Sequence, residues 1–319
     1  MAICISVRSR RALIALAALL AVPRAYAASG TSGAAFLKLA PGAGPAGMGE
    51  AFSAVSGDVQ SVYYNPAGLA DVARPQITGM HDASFQGIRY EFAALALPLL
   101  SFSGADGPKN SRGVIAAAVY NLSVSGLERR GTVETDAPTG TFASSDLAYS
   151  LAYAYGFTPE LSAGAAVKFV DQTLDSVSAT ALAVDAGATF KHERWSLAGG
   201  VRNAGSAPKF REAADPLPFT AYAGASRLFG GRWLTAADLL KPRDQPPGLA
   251  LGVQYSHPFD PRLTGLLRAG FNTLHRDSGG LSGVSLGGGV EAASMRLDFA
   301  WLPMGDLGNT FRYSVSVRF

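Results

Sequence analysis

The last nine residues carry the pattern that most restricts what this chain can become. Phe311, Tyr313, Val315, Val317 and Phe319 alternate with Arg312, Ser314, Ser316 and Arg318. A two-residue period puts the apolar side chains on one face of a strand and the polar ones on the other. The alternation recurs upstream. Met295, Leu297, Phe299 and Trp301 oppose Arg296, Asp298 and Ala300; Leu249, Leu251, Val253 and Tyr255 oppose Ala250, Gly252, Gln254 and Ser256; Leu147, Tyr149, Leu151, Tyr153 and Tyr155 oppose Ala148, Ser150, Ala152 and Ala154.

Followed along the chain, this period gives fourteen strands: 76–84, 89–97, 113–125, 145–156, 161–170, 180–190, 195–203, 217–228, 232–239, 249–257, 263–273, 281–291, 294–302 and 311–319. They average about ten residues, enough for a tilted strand to cross the hydrocarbon layer, and bacterial single-chain barrels have an even number of strands. From the third strand onward the connections alternate long and short across eleven segments, as when outer loops are long and inner turns short. The first two connections, 85–88 and 98–112, break the rule; either the first hairpin is read wrongly or it is distorted beside the amino-terminal segment. Trp195, Trp233 and Trp301 fall at strand ends, where amphipathic rings suit a membrane–water boundary, although ordinary core tryptophans would look the same.

Composition agrees. The chain is 48% apolar and only 16% charged, yet after residue 27 no stretch reaches the ~18 apolar residues of a spanning helix. The expected fold is all-β: a 14-stranded antiparallel transmembrane β-barrel over 76–319 with a small helical amino-terminal plug over 28–75. Residues 1–27 read as an export signal, with Arg8, Arg10 and Arg11, an apolar stretch at 12–22, and a small-x-small site at Ala25-Tyr26-Ala27. Losing its four arginines takes the formal charge from +3 to −1 and removes the case for binding nucleic acid. Cys4, the single cysteine, leaves with it.

Within 28–75, residues 41–45 read as a loop and 46–55 as a short helix. Asp58 reads as a cap for a turn through Tyr63-Tyr64, and Asn65 as a helix cap with Pro66 at the first helical position. Gly47-Met48-Gly49-Glu50-Ala51-Phe52-Ser53-Ala54-Val55 and Val62-Tyr63-Tyr64-Asn65-Pro66-Ala67-Gly68-Leu69-Ala70 resemble the opening of FadL-like outer-membrane barrels, with the PorV/PorQ branch nearest. His81, Tyr90-Glu91-Phe92 and the 303–310 segment are similar to that branch too. The resemblance implies fourteen strands, a plug carrying the motif Asn65, Pro66, Ala67 and Gly68, and a terminal Phe319 of the kind barrel-assembly machinery recognises. It implies two functions. The leading expectation is a PorV/PorQ-like, type IX-like role in protein secretion or surface attachment, with secretion proteins or cargo held by outer loops 126–144 and 204–216. The alternative is a FadL-like plugged channel for passive uptake of long-chain fatty acids or other hydrophobic molecules. In either case the chain sits in outer-membrane lipid.

Ten charged residues fall on inward strand positions: Lys168, Asp185, Arg202, Asp238, Arg268, Glu291, Arg296, Asp298, Arg312 and Arg318. An Arg or Lys facing lipid at mid-depth costs about 2–4 kcal/mol, so these should line the interior, either pairing with each other and the plug or forming a polar solute path. No Gly-x-Ser-x-Gly, His-Glu-x-x-His or Walker loop occurs, and His81, His192, His257 and His275 are dispersed. The expectation is therefore a non-enzyme without metal or cofactor. The glycine cluster at 279–289 reads as part of a strand, with glycine permitting bending or close approach of the plug.

Overall fold

The computed structural model describes residues 30–84, 87–100, 111–132 and 136–319; the 1–27 segment expected to be an export signal lies outside them. The strands are β1 (Gln76–Ala83), β2 (Arg89–Leu100), β3 (Ser111–Arg129), β4 (Gly140–Gly156), β5 (Leu161–Leu174), β6 (Val177–His192) and β7 (Trp195–Gly205), then a short ribbon of β8 (Lys209–Phe210) and β9 (Ala213–Ala214). There follow β10 (Thr220–Phe229), β11 (Trp233–Pro242), β12 (Gly248–Asp260), β13 (Leu263–Asn272), β14 (Val284–Ala292), β15 (Met295–Pro303) and β16 (Asn309–Arg318). All but β8 and β9 form one closed antiparallel barrel of fourteen strands. It closes by β1 on β16, from Gln76 opposite Arg318 to Ala83 opposite Phe311. Among the described residues no helix is long and apolar enough to cross a membrane.

Alternation sorts the side chains as the period requires. Leu151, Leu182 and Leu267 point outward and are more than half exposed, and many large apolar neighbours around the wall are exposed to a lesser degree. An apolar surface this extensive needs lipid or protein against it. On β2 to β6 the inward face is mostly alanine, including Ala94, Ala116, Ala118, Ala148, Ala152, Ala166 and Ala183. Those small residues leave room for the plug aromatics Phe52, Tyr63 and Tyr64, which pack with Phe92 and Tyr120 in one buried cluster. The ten inward charges expected from sequence fall on β5 to β16, and Asp82 on the neighbouring β1 joins them. The lumen thus has an apolar sector and an ionic sector.

Connection lengths distinguish two rims. Turns 157–160, 193–194, 230–232, 261–262 and 293–294 span two to four residues, while the opposite rim carries 130–139, 206–219, 243–247, 273–283 and 304–308. The strict alternation expected from sequence fails once: Asp175 and Ser176 alone join β5 to β6. Both strands run on past the apolar zone as a hairpin, with Thr173 and Ser178 hydroxyls 3.0 Å apart. Likewise β3 and β4 extend, so the loop expected at 126–144 shrinks to 130–139, and much of 204–216 belongs to β7 and the ribbon. The first hairpin is regular, pairing Gln76–Ala83 with Arg89–Ala96 in unbroken register; the connection at 101–110 lies outside the described residues. The glycine cluster is also corrected, because β14 starts at Val284 and 279–283 is loop.

The segment before β1 threads the barrel. Gly33 N–H donates to the Pro216 carbonyl (3.0 Å) at the long-loop rim, and Phe319 N–H donates to the Pro75 carbonyl (3.0 Å) at the short-turn rim. Helix occupies Ala43–Gly47, partly inside the expected loop, and does not fill 46–55. Gly49 and Glu50 both have positive φ (62° and 65°), which turns the chain away from any helical continuation.

Candidate functional site

Short turns satisfy part of the plug backbone, and wall side chains add further hydrogen bonds to it. Asp238 accepts from the Phe52 and Ser53 N–H groups (3.0 and 2.9 Å). Ser314 and Ser285 hydroxyls accept from Ala43 and Gly49 N–H (2.8 and 2.9 Å). Tyr90 and Ser226 hydroxyls donate to the carbonyls of Leu39 and Ala54 (2.8 and 2.9 Å). Buried backbone groups left unpaired are costly, so these contacts fix the plug in place.

The Asn65 motif belongs to the same framework. Asn65 Oδ1 accepts from Ala67 N–H (3.1 Å), while its Nδ2 donates to the Ser53 carbonyl (2.9 Å) and to Thr189 Oγ1 on β6 (2.8 Å). Pro66 opens a 3₁₀ helix, Pro66–Asp71. The Ala67 carbonyl accepts from Ser162 Oγ (3.2 Å), and a Cβ on Gly68 would come within 2.9 Å of Ser61 Oγ. Phe319 stands exposed at the short-turn rim, at the end of the closing strand.

Nine of the ten inward charges have partners. Lys168 and Asp185 pair at 2.6 Å with no exposure, and Arg268 pairs with Asp298 at 2.8 Å. Arg296 bridges Asp298 (2.9 Å) to Asp58 on the plug (2.6 Å). Arg312 holds Asp82 (2.6 Å), the Ala40 carbonyl (2.7 Å) and, less closely, Glu50 (3.6 Å). Arg318 pairs with Glu291 at 2.9 Å, and Asp238 takes the plug amides. Arg202 is the exception. Its guanidinium lies 4.9 Å from the Tyr63 ring centre and 5.4 Å from that of Tyr222. Among the described residues no carboxylate reaches it.

Arg202 faces a cavity of about 220 Å³ between the plug and the long-loop rim. Leu37, Leu39, Leu240 and Leu274 supply apolar lining, and Lys38, Glu50, Tyr63 and His275 supply polar atoms. Residues 35–40 form one wall, tied down by Lys38 to Asp244 (2.8 Å) with Ser32 on the same carboxylate. A second chamber of about 60 Å³ lies beyond Glu50 and His275, against Leu302, Met304 and Arg312.

Glu50 separates the two chambers. His275 Nε2 is 2.9 Å from its carboxylate, and Asn272 Nδ2 donates to it at 3.1 Å. Burial alone would raise the Glu50 carboxyl, but His275 and Arg312 hold it below the ordinary value. Glu50 in turn raises His275 above the ordinary imidazole value, against burial and Arg312. The pair is charged between those two limits. Its contribution to stability is full below the unfolded imidazole value, is lost as pH rises through the raised His275 value, and is lost at the acid end as Glu50 protonates. Thermal unfolding from pH 4 to 9 should show His275→Ala less stable than wild type by about 1–2 kcal/mol in mild acid, with the gap closing in mild alkali. A constant gap across that range would contradict the ion pair.

Sequence reading missed Glu50, Asp58, Asp82 and His275 as site residues. One signal was present: the ten inward charges comprise six cations and four anions, so the surplus calls for further acids, which Asp82 on β1 and Glu50 and Asp58 on the plug supply.

No family model matches the chain, and no curated protein matches it. Solved structures do. It is similar to the Ralstonia pickettii toluene transporter TbuX (TM-score 0.59, 13% identity, 88% of this chain and 98% of that one). It is similar to the Pseudomonas putida toluene transporter TodX (TM-score 0.56, 11% identity, 91% and 96%) and to a Pseudomonas aeruginosa FadL homologue (TM-score 0.56, 11% identity, 87% and 98%). At these identities the likeness is one of fold, and the fold is that of a FadL-like barrel closed around its own amino terminus.

Proposed function

We propose that the protein is a non-enzymatic channel of the bacterial outer membrane, through which small hydrophobic molecules pass without energy input. The observation that carries this reading is the cavity around Arg202, a mostly apolar pocket inside the barrel with an unpaired guanidinium at one side. Its volume lies below the ~300–1,000 Å³ of sites for drug-sized ligands, which favours single-ring or short-chain compounds over long acyl chains. The free guanidinium favours ligands with a carboxylate. The similar folds named as toluene transporters and as a FadL homologue support passage of hydrophobic molecules. The secretion reading gains no observation in its favour, and the outer loop expected at 126–144 to hold cargo is shorter than expected. Export by the 1–27 leader and recognition of Phe319 by the assembly machinery remain part of the proposal.

Titration calorimetry on the barrel in lipid nanodiscs tests it. Benzoate and octanoate should bind, and Arg202→Leu should weaken both about ten-fold while leaving toluene unchanged. Absence of binding by all three ligands would refute the channel reading. Equal loss for toluene and the acids would refute the role of Arg202.

A further inference from the structure

The outer wall carries a feature that the lumen does not explain. Most outward positions hold Leu, Val, Phe or Tyr, but where β10 and β11 pair they hold Ala223, Ala225 and Ala237. The result is a groove of about 540 Å³ on the lipid side, flanked by Trp195, Phe229, Leu251 and Phe271. Hydrocarbon must fill most of such a groove in a bilayer, because away from Arg227 and Thr235 at one end its lining is apolar.

One end of the groove is cationic. Arg227, on β10 opposite Trp195 of β7, has its guanidinium 4.5 Å from the Trp195 ring centre and 4.5 Å from that of Phe229. Among the described residues no carboxylate or other hydrogen-bond partner meets this guanidinium, and its Nε is buried without a partner. Trp195 and Phe229 adjoin the short turns 193–194 and 230–232, and aromatic rings at strand ends mark the membrane–water boundary. Arg194 and Arg232 lie exposed in those turns. Stacked rings cover a guanidinium's faces and leave its in-plane N–H edge for an anion, a geometry suited to the paired oxygens of a phosphate.

We propose that this patch is a specific phospholipid site, in which Arg227 holds the phosphate of a lipid in the leaflet at the short-turn rim and one acyl chain lies over Ala225 and Ala237. The alanines make the groove deep enough for a chain. The guanidinium supplies a polar end that a plain hydrophobic solute could not use.

Native mass spectrometry of the delipidated barrel, titrated with dioleoyl phosphatidylglycerol, tests the assignment. Wild type should take up one lipid saturably. Arg227→Gln and Ala237→Leu should each weaken that uptake about ten-fold, with Arg227→Lys between, all three retaining the wild-type β circular dichroism. Dioleoylglycerol, which lacks the phosphate, should bind weakly and without regard to Arg227. Equal phosphatidylglycerol uptake by wild type and Arg227→Gln would overturn the proposal. So would equal uptake of the two lipids by wild type, or a dimer of the chain abolished by Ala237→Leu.

Discussion

Arg312→Ala should lower unfolding stability by about 3–5 kcal/mol, the cost of removing one member of a buried ionic group. Arg312 is 5% exposed and holds Asp82, the Ala40 carbonyl and Glu50 together. Without it two buried carboxylates lose their shared cation, and the plug keeps only the Ser314 hydrogen bond among the ties to β16 named above. Arg318→Ala is the control. Its partner Glu291 lies at the rim, with the two side chains 39% and 32% exposed, so water screens the pair and its loss should cost under about 1 kcal/mol. Urea unfolding in lipid vesicles measures both. Equal losses would mean that the plug is not held by buried charge.

Gly270→Val should force the plug off the wall. A Cβ at Gly270 would overlap the backbone of Met48 and Gly49, and one at Gly252 on β12 would meet the Met48 carbonyl. Backbone on both sides cannot rotate away as a side chain can. Overpacking of this kind costs about 3 kcal/mol or more, and here the cheaper outcome is displacement of residues 47–50. Wild type should be silent in planar bilayers, whereas Gly270→Val should conduct ions. Gly79→Val, at an outward position with open space around it, should remain silent and change stability by less than about 0.5 kcal/mol. A silent Gly270→Val barrel with wild-type stability would contradict the close packing of plug on wall.

What sequence revealed, and what it hid, follows from the range of the interactions. The strands were legible because lipid outside and a packed lumen inside impose opposite demands on successive residues, as Phe311 to Phe319 show. Beyond the hydrocarbon that contrast fades. On β5 and β6 the outer ends carry Asp171, Gln172, Thr173 and Ser178, with polar residues on both faces, so the extended hairpin read as a long loop. The Asn65 cap was legible because its contact with Ala67 is local. Pro45 suggested a loop, yet helix Ala43–Gly47 forms around it, with the Ala43 N–H satisfied by Ser314. The partners of Glu50 lie more than 220 residues away in sequence, and no local pattern announces them.

The central claim is that a lipid-embedded barrel is stoppered by its own amino terminus. Hydrogen–deuterium exchange of the wild type in lipid vesicles, read by mass spectrometry, tests it most directly. Amides of β1 to β7 and β10 to β16 should resist exchange together with the plug amides at Ala43, Gly49, Phe52 and Ser53, which donate to wall side chains, while the exposed loop residues 130–132 and 211–212 exchange at once. Plug amides that exchange as fast as those loops, beneath protected strands, would contradict the claim.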